Sequence, residues 1–423
     1  MLIFFYHYIW LIVFSGCLII ACLMKKQRLL ARLALTLPEH PVKEKTIWIH
    51  ALSVGEVISA VPLVEALKKK FQEHTIIFSV TTAKGMEIAQ KKLADKVILL
   101  TMPIDFIWCI HRLTNYIRPS IFILVETDIW PAISYHLKKK GVKSLLVNGR
   151  ISLGTYRSYK RLPYITKILF RPLASCLMQS ELDRNRLISV LGKRQAKKVY
   201  NAGNIKFDRQ WKPMEQNERK TWIKTLGLDQ ENLIWIAGST HPGEEKIILE
   251  VFQKLLVLFP ELQLVIAPRK IDRSDEIKDL ALKMGIKATK KTDLDNKKIG
   301  HDILILNTLG ELGRIYGIGD ISFVGGSLIP FGGHNLLEPA AFGCPVIFGP
   351  HTDNFVSMAG QLEKVRGGFR VKNASELYTS MEKLITDQKL RQEMGAYAQK
   401  FVFDNSGALK QILAFIEKFM LES

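Results

Sequence analysis

Carboxylates stand twice where an apolar run gives way to a helix-forming stretch. In His50-Ala51-Leu52-Ser53-Val54-Gly55-Glu56, Gly55 permits a tight turn and Glu56 stands where the chain leaves a strand. A carboxylate so placed can act as general base toward a hydroxyl. The three-residue spacing from Ser53 to Glu56 fits a capping box equally well, and there the acid would only satisfy backbone N–H groups. In Ile121-Phe122-Ile123-Leu124-Val125-Glu126-Thr127-Asp128-Ile129-Trp130-Pro131, two further carboxylates follow a second apolar run. Asp128 ahead of Pro131 reads as a helix cap, which leaves Glu126 without that structural role. Arg150 in Asn148-Gly149-Arg150-Ile151-Ser152 and Lys206 in Gly203-Asn204-Ile205-Lys206-Phe207-Asp208 follow later strands. Such cations ordinarily face water, but converging on one rim they neutralise a phosphate or carboxylate.

The second half carries a different set. Ala267-Pro268-Arg269-Lys270 ends a strand with cations, and Thr308-Leu309-Gly310-Glu311-Leu312 opens a helix after another. Gly325-Gly326-Ser327 is followed by Phe331-Gly332-Gly333-His334-Asn335-Leu336-Leu337-Glu338-Pro339-Ala340. The glycines lead into a helix whose free N–H groups and dipole suit a phosphate, and Glu338, one turn in, can hold ribose hydroxyls. Asn335 and Glu338 also fit a plain helix cap. Neither glycine cluster has the Walker or the dinucleotide-binding spacing, which argues against an ATPase or a dehydrogenase. Asp293-Leu294-Asp295 imitates a metal-binding Asp-x-Asp, but it lies among Lys290, Lys291, Lys297 and Lys298 and reads as a solvated loop. The ten histidines and five cysteines show no metal-ligand spacing, so no metal is expected.

The elements that must hold these residues recur with a regular rhythm. Thr46–Ala51, Thr75–Val80, Lys96–Leu100, Ile121–Val125 and Lys143–Val147 are short apolar runs, each followed by a helical pattern. After a polar break at 210–230 the rhythm restarts with Leu233–Ala237, Leu262–Ala267, Asp302–Leu306, Asp320–Val324 and Pro345–Phe348. This is the signature of doubly wound parallel sheets. The 423 residues therefore read as an α/β protein with two Rossmann-like domains facing a cleft at their strand C-terminal ends, a layout that fits the two-lobed GT-B type and other two-lobed enzymes as well. The boundaries fall at 25–211 and 212–423, with the last helices free to cross back. Charge divides at the same place. The whole net charge of +20 resides in 25–211, and 212–423 sums to zero. A basic lobe implies an anionic surface or substrate.

Residues 2–24 carry no Lys, Arg, Asp or Glu, and as a helix they would extend about 34 Å, enough to cross a bilayer core of about 30 Å. Lys25, Lys26, Arg28 and Arg32 follow the apolar run, opposite to the order in a signal peptide, and predict an anchor with the body on the cytoplasmic side. Basic residues beside a span attract anionic lipid headgroups, so the excess charge is read as facing anionic membrane lipids and no nucleic acid partner is expected.

Taken together, Trp48-Ile49-His50-Ala51-Leu52-Ser53-Val54-Gly55-Glu56, Glu126-Thr127-Asp128-Ile129-Trp130-Pro131, Asn148-Gly149-Arg150-Ile151-Ser152, Gly238-Ser239-Thr240-His241 and Gly332-Gly333-His334-Asn335-Leu336-Leu337-Glu338-Pro339-Ala340 resemble the Kdo transferases in this order over nearly the whole chain. Those enzymes move 3-deoxy-D-manno-oct-2-ulosonic acid (Kdo) from CMP-Kdo to lipid A precursors. The resemblance implies that Glu56 is the general base, and that Glu126 and Lys206 assist the transition state. It implies that CMP is held by Pro268, Arg269, Leu309, Gly310, Glu311, Asn335, Leu336, Leu337 and Glu338. It also implies inversion at the anomeric centre without metal or cofactor, in lipopolysaccharide synthesis at the inner membrane. The family often has Glu where this chain has Asp128. Competing readings are a glycosyltransferase using a UDP-sugar, a tethered lipid-binding protein without catalysis, and a sugar-nucleotide epimerase.

Overall fold

The computed structural model describes residues 6, 8, 10–16, 20, 27–37, 42, 45–126, 128–208, 214–294 and 301–421. The chain divides into two compact units, Met1–Arg209 together with Asn405–Ser423, and Gln210–Asp404.

The first unit is built on seven strands, β1 (Thr46–Ala51), β2 (Thr75–Val80), β3 (Ile98–Thr101), β4 (Pro119–Val125), β5 (Lys143–Gly149), β6 (Ser175–Met178) and β7 (Val199–Asn201). They run parallel in the order β3-β2-β1-β4-β5-β6-β7. Both faces are covered, which is why these strands read as continuous apolar runs rather than alternating ones. Ile47, Ile49 and Ala51 pack with Val57, Ala60 and Leu63 of the helix Val54–Lys70. On the opposite face Trp48 and Phe122 meet at 4.7 Å and pack with Ile110, Leu113 and Ile117 of the helix Ile107–Ile117. The indole N–H of Trp48 finds the hydroxyl of Ser79 at 2.9 Å, so its burial leaves no orphaned donor.

The second unit repeats the plan with β8 (Ile234–Thr240), β9 (Gln263–Pro268), β10 (Ala288–Lys290), β11 (Ile303–Ile305), β12 (Ile321–Val324), β13 (Val346–Phe348) and β14 (Gly368–Arg370). Its order is β10-β11-β9-β8-β12-β13-β14, again parallel. Trp235 and Ala237 pack with Ile248, Leu249, Phe252 and Leu255 of the helix Glu244–Leu258. Strands β6, β7, β10 and β14, three or four residues each, were not among the runs read from the sequence.

The final helix, Ala408–Leu421, returns to the first unit, where Ile412 and Ile416 join the core around β1. Both carboxylate oxygens of Asp208 receive N–H groups at its start, from Gly407 and Leu409. Gly407 has φ +102, a backbone state open to glycine at little cost. Of the expected anchor 2–24, residues 2–5, 7, 9, 17–19 and 21–24 lie outside the described residues. Among the described residues no helix is long and apolar enough to cross a membrane. Within that stretch, the hydroxyl of Tyr6 donates to Asp105 Oδ2 at 2.6 Å and Trp10 lies 6.4 Å from Trp130, both against the first unit.

Asp208 therefore acts as a two-oxygen cap for the returning helix. Asp208→Ala is expected to lower stability by about 1–2 kcal/mol, measured by urea denaturation, and to accelerate amide exchange in 408–421 ahead of the rest of the first unit.

Candidate active site

In the first unit the chain winds away from β1 in one direction and from β4 in the other, and the ends of these two neighbours collect the polar groups, as expected for a switch point in an open parallel sheet. Ser53 is the N-cap of the helix Val54–Lys70, but its hydroxyl does not accept a helix N–H. It donates instead to Glu56 Oε1 at 3.3 Å, while the Leu52 N–H donates to Oε2 at 2.5 Å. Neither reciprocal bond of the expected capping box forms, and what the Leu52 N–H and the Ser53 hydroxyl fix instead is the Glu56 carboxylate. Glu56 is 8% exposed. Burial pushes its pKa up to about 7, the Leu52 N–H opposes this, and the charges of Glu126 and Asp128 push it further up.

Glu126 follows β4 with φ +60, a left-handed conformation that costs a non-glycine residue about 1–2 kcal/mol. Its N–H still reaches Val147 O at 2.8 Å, so pairing with β5 persists through the turn. Asn148 in β5 also has positive φ, +55, and its Oδ1 accepts the N–H of Ile205 at 3.1 Å. That bond fastens the turn Ile205–Asp208, which presents the Lys206 ammonium 3.6 Å from Glu126 Oε1. Glu126 and Lys206, 80 positions apart by their numbers, are thereby brought together. Arg150 follows directly after β5 and is half-buried.

Asp128 does not cap the helix Pro131–Lys139, contrary to the sequence expectation. The N-cap position is Trp130, in extended conformation, and the N–H groups of Ala132 and Ile133 go to Asp105 at 2.8 and 2.9 Å. Asp128 instead accepts the indole N–H of Trp130 at 2.7 Å and lies 3.8 Å from His50 Nε2. A cap supplied from 27 residues upstream, by Asp105, has no local sequence signal. Burial dominates at Asp105 and pushes its pKa up to about 7.

In the second unit the glycine cluster is already occupied. Glu244, fully buried, accepts the N–H groups of His241, Gly326, Ser327 and Leu328 at 2.6–3.0 Å. The N–H groups of Gly326, Ser327 and Leu328 are thus taken up by a side chain from another element. Gly325 is required by closeness, since a Cβ there would lie 2.5 Å from Ser239 O. The helix after the second glycine pair is short, Leu337–Ala341. The N-cap position is Leu336, which makes no side-chain capping bond; one residue before it, Asn335 Oδ1 accepts the Leu337 N–H at 3.2 Å and its amide faces Glu338 Oε1 at 3.4 Å, while Leu336 and Leu337 are core residues. Pro268 ends β9 and the Arg269 N–H donates to Thr240 O at 2.9 Å, seating Arg269 beside the end of β8. Leu309 is 79% exposed next to Gly310, and the Glu311 carboxylate is engaged by the Lys291 ammonium and the Thr308 hydroxyl.

Asp293 pairs with Lys278 and Lys290 at 3.4 and 3.7 Å, and Asp295 lies outside the described residues. Among the described residues no group of His, Cys, Asp and Glu is arranged to hold a metal. Cys109, Cys176 and Cys344 are buried free thiols, and Cys17 and Cys22 lie outside the described residues. Sequence reasoning passed over Glu244 and Asp105, whose partners are chosen by the tertiary fold. For Glu244 the local signal is its place three residues after His241, at the start of a helix.

Two doubly wound parallel units, each with acids and cations at its strand ends, make up an α/β fold of the GT-B type. A solved glycosyltransferase from Rickettsia africae shares this fold, with a TM-score of 0.57 at 15% identity over 90% of this chain and 100% of that one. Sequence narrows the class. Residues 27–209 match the family model of 3-deoxy-D-manno-octulosonic-acid transferase. The chain is 32% identical to the 3-deoxy-D-manno-octulosonic acid transferase of Haemophilus influenzae, over 88% of this chain and 87% of that protein. It is 35% identical to a bifunctional glycosyltransferase/methyltransferase of Fusobacterium nucleatum over 84% of this chain, and spans 55% of that relative's length. The chain belongs to the Kdo transferase family.

Glu244→Ala would leave four backbone donors without their acceptor. A loss of about 1–3 kcal/mol is expected, read as a lowered urea midpoint, with faster amide exchange at Gly326, Ser327 and Leu328.

Proposed function

We propose that this enzyme transfers Kdo from CMP-Kdo to the lipid A precursor lipid IVA, with inversion and without metal or cofactor, and that Glu56 is the general base. The observation that supports this reading is the Glu56 carboxylate itself: oriented by Leu52 N–H and the Ser53 hydroxyl, and poised near neutral pKa by burial. In the proposed step an oxygen of the glucosamine acceptor gives its proton to Glu56 and bonds to the anomeric carbon of Kdo. The bond from that carbon to the phosphate oxygen breaks, and its electron pair leaves with CMP.

Glu126 and Lys206, held at 3.6 Å, provide a paired charge at the same strand ends for the transition state. In the second unit Pro268, Arg269, Leu309, Gly310, Glu311 and the run Asn335–Glu338 hold CMP. Arg269 supplies the cation for its phosphate. Glu311 contributes through the loop that Lys291 and Thr308 brace. The acceptor is a phosphorylated lipid, which suits the excess positive charge of residues 25–211. Residues 2–24 hold the enzyme at the inner membrane with its body on the cytoplasmic side. Deletion of 2–24 is expected to shift the protein from the membrane pellet to the soluble fraction, most clearly at raised salt.

The deciding experiment is incubation of the purified protein with CMP-Kdo and lipid IVA, with mass spectrometry of the lipid. A gain of Kdo mass is expected, competed by CMP and not by UDP; labelling from a UDP-sugar alone would favour the rival donor. Glu56→Gln is expected to slow transfer by about 10²–10⁴-fold with CMP affinity little changed. Because Glu56 must be ionised to accept a proton and its pKa is raised to about 7, kcat/KM should fall about tenfold per unit below that pH and level off above it.

A further inference from the structure

His241 follows β8 directly, and His334 lies in the loop that precedes the helix Leu337–Ala341. Their rings are nearly parallel, 13° apart with centroids at 5.0 Å, and Phe331 stacks on His241 at 4.1 Å. Both rings rest on Gly326, where a Cβ would meet their Cδ2 atoms at 3.1 and 3.3 Å. The loop beneath is the one Glu244 fastens. The two Nε2 atoms lie 2.8 Å apart. One ring must donate and the other accept, so the neutral couple shares a single Nε2–H. The accepting ring then carries its own proton on Nδ1, and the donating ring keeps a lone pair there. Neither imidazole has another side-chain hydrogen bond among the described residues.

The charged groups facing the couple are Arg269, Lys270 and Arg273 from the end of β9 and the turn after it, with Glu244 below. Arg273 is neutralised by Glu245 and Glu276, each at 2.8 Å, and Glu244 is committed to its four N–H groups. Arg269 and Lys270 make no ion pair among the described residues. Their field, after burial, keeps both rings neutral: the His334 pKa falls to about 4, and that of His241 is lowered as well. An arriving oxyanion would cancel that field. A proton added to the open Nδ1 would give each ring an outward N–H and turn the bond between them into a charge-assisted one.

We propose that His241 and His334 form an oxyanion-receiving couple in the donor site, taking up one proton from solvent when the phosphate or the carboxylate of CMP-Kdo binds. The inference rests on the reading of the second unit as the CMP-Kdo site, and it adds a charge-adapting element to that site. No bond between heavy atoms changes: an N–H bond forms at Nδ1 with a proton given up by solvent or buffer, and the proton returns there when the ligand leaves.

Isothermal titration of CMP-Kdo into the full-length protein, in two buffers of different ionisation enthalpy, measures the linked protons. Uptake approaching one proton is expected, growing from about pH 7.5 to about pH 6. In His334→Gln the uptake should disappear, with an affinity loss of about tenfold at the lower pH and less at the higher. Equal uptake with CMP, taken as the difference between wild type and His334→Gln, identifies the phosphate as the anion; uptake with CMP-Kdo alone identifies the carboxylate. CMP-Kdo binding with no proton uptake overturns the couple's role and leaves the donor reading intact. A folded protein that binds neither ligand overturns the donor reading and the inference with it. The imidazole C–H resonances of the wild-type protein give a measurement that does not depend on the variant folding: their titration should move to higher pH with CMP-Kdo bound, and an unmoved titration counts against the proposal.

Discussion

A sheet whose strands all run parallel and whose two faces are both buried has no room for polar side chains except at its ends. Every charged group with a plausible chemical task in this protein obeys that restriction. His50 is the penultimate residue of β1 and Glu56 follows that strand, Glu126 and Asp128 follow β4, and Lys206 follows β7; in the second unit His241 follows β8 and Arg269 follows β9. The helices that cover the faces begin at those same ends, so backbone N–H groups and carboxylates compete for partners in a small volume. How each carboxylate is satisfied there separates framework from chemistry.

Glu244 and Glu56 make the contrast plain. Both are buried acids at helix starts, and burial raises the pKa of both. Glu244 receives four backbone N–H groups and cannot change partners without releasing the glycine loop it organises. Glu56 receives one N–H and one hydroxyl, with two further acids close enough to press its pKa upward. An acid left incompletely satisfied beside other acids is suited to accept a proton, and that difference makes Glu56 the stronger candidate for chemistry.

Strain marks the same ends. Glu126, Asn148 and Ser239 adopt positive φ although none is glycine, and each stands at the close of a central strand. Asn148 converts that geometry into a long-range bond to Ile205, and so sets Lys206 near Glu126. Residues in such conformations persist where the surrounding structure holds them firmly. Asp208, in the same turn as Lys206, holds the start of the final helix, so one short segment supports both the candidate site and the return of the chain to the first unit.

Much of this was readable from the sequence. The runs Thr46–Ala51 and Thr75–Val80 became strands with those bounds, because doubly buried parallel strands write themselves as unbroken apolar segments. The placing of Glu56, Glu126 and Arg269 at strand ends followed from the same signal, as did the change of unit near residue 210. Local pattern failed where the deciding partner was distant. Asp128 looked like a cap because only its neighbours could be seen, whereas Asp105 took that role across 27 residues. The glycine loop carried no local sign of what holds it, because Glu244 lies 82 residues upstream of Gly326. Hydrophobic period and residue type are properties of a segment, so the sequence by itself determined the elements, their winding and the residues at their ends. The satisfaction of a buried polar group depends on whichever donor or acceptor the packed chain brings within about 3 Å, and only the tertiary structure decided which acids became framework and which remained available.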